Sequence, residues 1–218
     1  MKIIIPARLG SKGLPLKNRK LLNYTLDTIP EEKIDQCWVT TDDLEICKIA
    51  SDRGFNCIHR PEELGQDSSS IRDVIAHAIG ELRFGSDELI VMLYLTYPER
   101  TWEEVQNAVY FFLTHNHAGL TDSLLCKKEV TTHPYLCMLE HGMDGIFGKQ
   151  VVQHDLYRRQ DYPKCFEISH YISIFKAGAL PKLNKNLYCD STVFYPIDSV
   201  IDVDTQKELE QYLERKKD

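Results

Sequence analysis

Short apolar, β-branched runs alternate along the first half of this chain with segments whose apolar residues recur at helical spacing, and few folds accommodate that alternation. Lys2-Ile3-Ile4-Ile5-Pro6 reads as a buried first strand, followed at once by small and basic residues. Cys37-Trp38-Val39-Thr40-Thr41 is a second such run; after it Asp43 is placed to cap a helix in which Leu44, Cys47 and Ala50 share a face, with Gly54 to end it. Asn56-Cys57-Ile58-His59 is a brief third strand. Ser70-x-x-Asp73 opens a helix striped by Ile71, Val74, Ile75, Ala78, Ile79 and Leu82. Glu88 to Leu95 is apolar on both faces, as a central parallel strand is. Thr101-x-x-Glu104 caps the next helix, with Val105, Ala108, Val109, Phe112 and Leu113 on its stripe. Strands and helices alternating at these lengths predict an α/β fold: a mostly parallel sheet, covered on both faces and joined by right-handed crossovers.

From Asp122 to Lys164 the pattern loosens into short strand-like pieces (Leu124 to Cys126, Leu136 to Leu139), the turn His141-Gly142-Met143-Asp144-Gly145 and the polar stretch Tyr157 to Asp161, so residues 122–164 are expected to form an insertion from the sheet. Regular structure is predicted to resume with Tyr171 to Phe175, Thr192 to Tyr195 and Ile201 to Asp204, the last leading into a helix capped by Thr205-x-x-Glu208. With 218 residues and no linker rich in Pro, Gly or Ser, one domain over 1–218 is expected. No apolar run is long enough to span a bilayer, and the N-terminus does not read as a secretion signal. The seven cysteines (Cys37, Cys47, Cys57, Cys126, Cys137, Cys165, Cys189) have neither C-x-x-C nor zinc-like spacing, which predicts reduced thiols in a cytoplasmic protein and no disulfide framework. A net charge of −7 without a long basic run argues against duplex nucleic acid and anionic membranes as partners. A local cluster of cations is therefore informative.

That cluster follows the first strand. Ala7 to Asn18 contains Arg8, Lys12 and Lys17 with Gly10 and Gly13, at the strand end where open α/β sheets bind ligands. Glycines let backbone N–H groups approach an oxyanion, and three cations could neutralise a polyphosphate. The bland alternative is a solvated surface loop with ordinary lysines. The spacing matches neither the G-x-x-x-x-G-K-[ST] phosphate loop nor the G-x-G-x-x-G dinucleotide fingerprint. Near the C-terminus, Asp202 and Asp204 alternate with Ile201 and Val203, so in a strand both carboxylates share one face, a pattern that suits a hard divalent cation with phosphate oxygens. Alternatively they simply favour the positive end of the last helix. His115-Asn116-His117 reads as polar residues at a helix C-terminus, and the remaining histidines lack ligand spacing.

Ile5-Pro6-Ala7-Arg8-x-Gly10-Ser11-Lys12-Gly13-x-x-x-Lys17-Asn18 resembles the N-terminal signature of the cytidylyltransferases that activate nonulosonic and related 3-deoxy-2-keto sugar acids, the CMP-sialic acid synthetase group. The likeness continues through Val39-Thr40-Thr41-Asp42, Arg60-Pro61-x-x-Leu64, Asp67 to Ser70, Leu93 to Arg100, His133-Pro134, Arg159-Gln160 and Ser199 to Asp204. It implies a three-layer Rossmann-like nucleotidyltransferase that transfers CMP from CTP to a small acidic sugar and works as a homodimer through its insertion. It further implies that Arg8, Lys12 and Lys17 hold the triphosphate, that Asn18, Arg60 and Ser70 line the cytidine pocket beside Ala7, Gly10, Ser11 and Asp42, and that Asp202 and Asp204 hold Mg²⁺. Arg159 and Gln160 are implied at the acceptor. A phosphorylated acceptor giving a CDP product, and a non-catalytic nucleotide-binding homologue, are the other readings.

The chain departs from the family in what should be the acceptor half. Members usually carry Leu-Gln-Pro-Thr-Ser-Pro-Leu-Arg where this chain has Leu93-Tyr94-Leu95-Thr96-Tyr97-Pro98-Glu99-Arg100. The family's Asn-Gly-Ala is here Ser169-His170-Tyr171, and Gly-Lys-Pro after Asn18 is shortened to Leu21-Leu22-Asn23-Tyr24. Tyr94 and His170 fill volume and change hydrogen bonding, so an acceptor other than N-acetylneuraminic acid is expected.

Overall fold

The computed structural model describes residues 1–116, 119–141 and 147–217. Its centre is a seven-stranded sheet in the order β3-β2-β1-β4-β8-β5-β9, formed by β1 (Lys2–Pro6), β2 (Cys37–Thr41), β3 (Asn56–His59), β4 (Leu89–Met92), β5 (Ser123–Glu129), β8 (Phe166–Lys176) and β9 (Thr192–Pro196). β1 pairs in parallel with β2 and β4, and β2 with β3, while β8 runs antiparallel between β4 and β5. The expected mostly parallel sheet is thus present, with β4 parallel to only one of its neighbours. A separate antiparallel hairpin joins β6 (Met138–His141) to β7 (Phe147–Gln150).

The helices are α1 (Lys17–Asp27), α2 (Leu44–Asp52), α3 (Ile71–Leu82), α4 (Trp102–His115) and α5 (Gln206–Arg215). Two apolar clusters line the sheet. One gathers Ile3 and Ile5 of β1 with α1, α2, α4 and α5; the other gathers Ile4 with Ile75 and Ala78 of α3. Neighbouring β1 residues point to opposite faces, so one strand feeds both layers. The sequence caps act where expected: Asp43 accepts from Glu45 N, Ser70 from Asp73 N, and Thr101 and Thr205 form reciprocal boxes with Glu104 and Glu208. Gly54 takes φ +82°, a conformation that stops α2 at low cost.

Several expectations need correction. α2 buries Ile46 and Ala50, with Leu44 at 75% exposure, because the helix is rotated from the face its first apolar residue suggests. On α4 Val105, Ala108 and Phe112 are buried, but Leu113 is exposed. Cys47 and Cys57 are disulfide-bonded, Cα atoms 5.6 Å apart, because α2 packs back on β3; the other five cysteines are free. Ser123–Glu129 belongs to the main sheet, so the excursion expected from 122 leaves it only after β5. Residues 201–204 form no strand: Ile201 N donates to the Glu99 carboxylate and Val203 N to Thr96 O, connections made outside any sheet ladder. His115 does end α4, its Nδ1 2.8 Å from Phe111 O. His117 and the turn 142–145 lie outside the described residues. Among the described residues no helix is long and apolar enough to cross a membrane.

Candidate active site

The C-terminal ends of β1, β3 and β4 open on a cleft of about 540 Å³, lined on one side by Arg8, Gly10, Ser11, Lys17 and Asn18 and on the other by Arg60, Ser70, Tyr94, Tyr97 and His170, with Asp202 and Asp204 between them. Residues as far apart in the chain as Lys17 and Asp204, 187 positions, are brought together here by the fold. Leu14, fully buried, anchors the loop between β1 and α1, and Leu16 enters the helix at φ 54°. A Cβ built on Gly13 would come closer than 3.0 Å to the Asp204 carbonyl oxygen, so only glycine lets the loop lie against the segment carrying the paired aspartates.

Carboxylates hold the three loop cations. Arg8 and Lys12 both pair with Asp67, the latter at 2.7 Å, and their hydrogen bonds, Lys12's first, hold the Asp67 carboxyl below the usual carboxylate range. Lys17 pairs with Asp204. Arg8 and Lys17 line the cleft; Lys12, 84% exposed, does not. Ala7 is buried, its N–H bonded to Thr40 O, and Asp42 accepts from Leu9 N at 2.9 Å, so both shape the loop without lining the cleft. Asn18 Nδ2 donates to Arg8 O at 2.8 Å, tying the first turn of α1 to the loop it faces.

Arg60 is only 3% exposed; its Nη2 donates to Thr40 O at 2.8 Å, while Nε is buried with no partner among the described residues. Burial pulls its guanidinium below its usual range, Asp42 opposes that and Arg8 adds to it. A buried cation with an unsatisfied donor beside a polar cleft favours an acceptor-rich ligand. Ser70 combines its place in the cleft with the cap of α3.

Deeper in, the Tyr94 and His170 rings meet edge to face at 5.5 Å. Burial lowers the His170 imidazole below its usual range, against the attraction of Asp202, and raises the Tyr94 phenol. Arg100, 1% exposed and lowered to about 10 by burial, fixes this wall from behind by donating to the carbonyls of Tyr171 and, at 2.7 Å, Tyr94. The shortened Leu21 to Tyr24 stretch continues α1, with Leu21 and Leu22 in the core. Arg159 and Gln160 lie elsewhere: they form a 3-10 turn, and Arg159 lines a different depression with His133 and Tyr162.

Asp202 and Asp204 do share a side, since Ile201 and Val203 are buried. Asp202 Oδ2 accepts from Tyr97 Oη at 2.8 Å, and Oδ1 is buried without a partner among the described residues. No cluster of three or more His, Cys, Asp or Glu is arranged around a metal position there or elsewhere among the described residues, so this chain would supply two carboxylates. Hard oxygen donors, one of them unsatisfied, fit Mg²⁺ with the remaining ligands from phosphate and water. Sequence reasoning missed the roles of Asp67, Tyr97, Lys185 and Asn186. Asp67 and Tyr97 stand inside motifs that gave no sign of their partners, and nothing local marks Lys185 or Asn186, which reach the cleft from the turn after β8.

A sequence profile described as cytidylyltransferase matches residues 2–116 of this chain. The chain belongs to the cytidylyltransferase family. It is 30% identical over 92% of its length to N-acylneuraminate cytidylyltransferase B of Danio rerio, covering 48% of that protein. It is 27% identical over 88% of its length to the N-acylneuraminate cytidylyltransferase of Streptococcus agalactiae serotype V, covering 45% of it. The chain therefore spans about half the length of these curated relatives. A shorter relative, the post-translational flagellin modification protein B of Campylobacter coli, is 26% identical over 94% of this chain and 89% of its own. Among solved structures, a CMP:2-keto-3-deoxy-manno-octonic acid synthetase complexed with CTP superposes with a TM-score of 0.68 at 14% identity, covering 99% of this chain and 98% of its own. The 4-diphosphocytidyl-2C-methyl-D-erythritol synthase of Anaerococcus prevotii gives 0.60 at 16%, covering 98% and 96%. These superpositions establish the Rossmann-like nucleotidyltransferase fold.

Proposed function

We propose that this member of the family transfers CMP from CTP to a small acidic 2-keto-3-deoxy sugar. The acceptor hydroxyl oxygen bonds to the α-phosphorus, the bond from that phosphorus to the bridging oxygen breaks, pyrophosphate leaves, and the hydroxyl proton passes to solvent. The observation that carries the reading is one cleft in which Arg8 and Lys17 face two aspartates, with the buried Arg60 on the adjoining wall. Arg8 and Lys17 would exchange their carboxylate partners for phosphate oxygens, with Lys12 joining from the rim; Asn18, Arg60 and Ser70 would hold the nucleoside. Bound Mg²⁺, held by Asp202 and Asp204, would neutralise charge on the transferring and leaving phosphates. Tyr94 and His170 narrow the inner half of the cleft, which supports an acceptor other than N-acetylneuraminic acid.

The dimer belongs to the same reading. Leu139 and Phe147 on the β6–β7 hairpin and Ile168 on β8 are exposed at 62, 68 and 44%. Exposed apolar side chains on these segments suit a second copy, whose site Arg159 and Gln160 would then approach. Light scattering should give twice the 25.2 kDa chain mass; a monomer at micromolar concentration would remove the dimer. Need for CTP supports a cytoplasmic setting. Incubation with CTP, Mg²⁺ and a panel of keto-sugar acids tests the activity: pyrophosphate and a product carrying one phosphate support it. Two phosphates in the product would mean a phosphorylated acceptor, and no turnover across both acceptor classes would favour a binding protein.

A further inference from the structure

Asp204 and Asp202 are held in contrasting ways. Asp204 is 62% exposed and pairs with a cation, Lys17. Asp202 is fixed from behind by a neutral donor. Tyr97, 5% exposed, donates through Oη to Asp202 Oδ2 at 2.8 Å, and Ser169 Oγ donates to the same phenol oxygen at 3.4 Å. The Tyr97 ring meets Tyr171 edge to face at 5.4 Å, and Tyr171 is itself fixed by its Oη bond of 2.7 Å to Glu104 and by Arg100 on its carbonyl. A chain of contacts thus runs from the start of α4 through Tyr171 and Tyr97 to one oxygen of Asp202. The other oxygen, Oδ1, is buried and has no partner among the described residues. A neutral phenol occupies one lone-pair region without cancelling the carboxylate's charge, whereas a lysine would cancel it.

We propose that Tyr97 is a positioning residue for the divalent cation: it pins Asp202 by Oδ2 so that Oδ1 is presented to the metal in a fixed orientation. The proposal rests on the reading of Asp202 as a cation ligand. Partners that orient a ligating carboxylate set metal affinity, and losing one typically weakens it roughly 10- to 100-fold. The substitution Tyr97→Phe removes the hydroxyl and leaves the ring against Tyr171; Ser169→Ala, a milder change, keeps the phenol on Asp202 and removes its second hydrogen bond together with the one Ser169 Oγ accepts from Tyr171 N at 3.3 Å.

Two readouts separate positioning from simple support of the fold. The first is the Mg²⁺ concentration for half-maximal turnover at saturating CTP. The second needs no turnover: the rise in unfolding temperature that Mn²⁺ adds to the rise given by CTP alone, without acceptor. In Tyr97→Phe the half-maximal Mg²⁺ concentration should increase roughly tenfold or more, with turnover recovering at high Mg²⁺, and the Mn²⁺ increment should shrink while the CTP increment stays. Ser169→Ala should move both in the same direction by less. Should Tyr97→Phe not fold, the Ser169→Ala result decides. An unchanged half-maximal Mg²⁺ concentration and Mn²⁺ increment in the folded variants, with both altered in Asp202→Asn, would overturn the role of Tyr97 alone. Unchanged metal dependence in Asp202→Asn as well would overturn the cation site beneath it.

Discussion

Replacing Gly13 by alanine tests whether the glycine loop and the paired aspartates act as one unit. The added Cβ would lie inside the 3.0 Å limit that real Cβ contacts respect against the Asp204 carbonyl oxygen, and 3.4 Å from its carbon. Both partners are backbone, so no side chain can rotate away. Either the loop retreats, carrying Lys17 with it, or residues 202–204 do, and Val203 is held against retreat by its burial and its N–H bond to Thr96 O at 2.8 Å. The loop therefore moves, and Lys17 separates from Asp204. Displacing reacting or charge-stabilising groups by about 1 Å can cost about 100-fold in rate. We expect kcat/KM for CTP to fall about 100-fold, mostly in kcat, in pyrophosphate-release assays at saturating Mg²⁺. Urea unfolding should show a much smaller relative loss, because the loop enters the core through Leu14 while the strands and helices behind it keep their packing. Gly10, where an added Cβ meets nothing within 4 Å, provides the contrast: Gly10→Ala should retain full stability, and any activity it loses would report a phosphate lying against that position. A Gly13→Ala enzyme with parental kcat/KM would refute the claim that loop and aspartates are mutually fitted.

Calorimetric titration of CTP should show Lys17→Ala weakening binding by roughly tenfold or more, as expected for a charge-assisted phosphate contact, and Lys12→Ala by less, since Lys12 is at the rim; the reverse order would move the phosphates outward. Asp43→Ala should lower stability by about 1 kcal/mol through the lost α2 cap alone. Burial would raise the Asp43 carboxyl, but the Arg19 fork and the Glu45 N–H bring it below its ordinary value. Its stabilisation is therefore present above that value and lost as pH falls through the lower folded value, and Asp43→Asn should flatten that acid limb in urea titrations. The His170 imidazole is lowered by burial, so protonation favours the unfolded chain. Stability should fall as pH drops below about 6.5, and His170→Gln should remove that dependence; an unchanged profile would place the imidazole in solvent. Tyr94→Gln combined with His170→Gly should open the inner cleft and raise turnover of N-acetylneuraminic acid relative to other acceptors; no change in ranking would detach these side chains from selectivity.

What could be read from the sequence was what neighbouring residues settle between themselves. Asp43, Ser70, Thr101 and Thr205 cap helices because a cap involves only the next three residues, and β1 and β4 announce themselves by unbroken apolar runs. Strand pairing is not local. β5 ends in Lys127, Lys128 and Glu129, polar enough to resemble a loop, yet it lies between β8 and β9 because β8 is long enough to pair with β4 at one end and reach β5 along the rest. Likewise, the ten-residue separation of Cys47 and Cys57 gives no hint that α2 folds back on β3. The site divides the same way. Arg8, Lys17 and the two aspartates were legible because a dense charge pattern requires a counter-charge whatever the fold. The partner that each resting charge takes was not: Asp67 reaches Arg8 across 59 positions and Tyr97 reaches Asp202 across 105, distances closed only by the sheet order. The segment 201–204 shows how the two kinds of information combine. Its alternation correctly buries Ile201 and Val203, yet its N–H groups go to Glu99 and Thr96 rather than to a strand. That connection places the aspartates beside the loop after β4, where Tyr94 and Tyr97 line the same cleft and Tyr97 reaches Asp202.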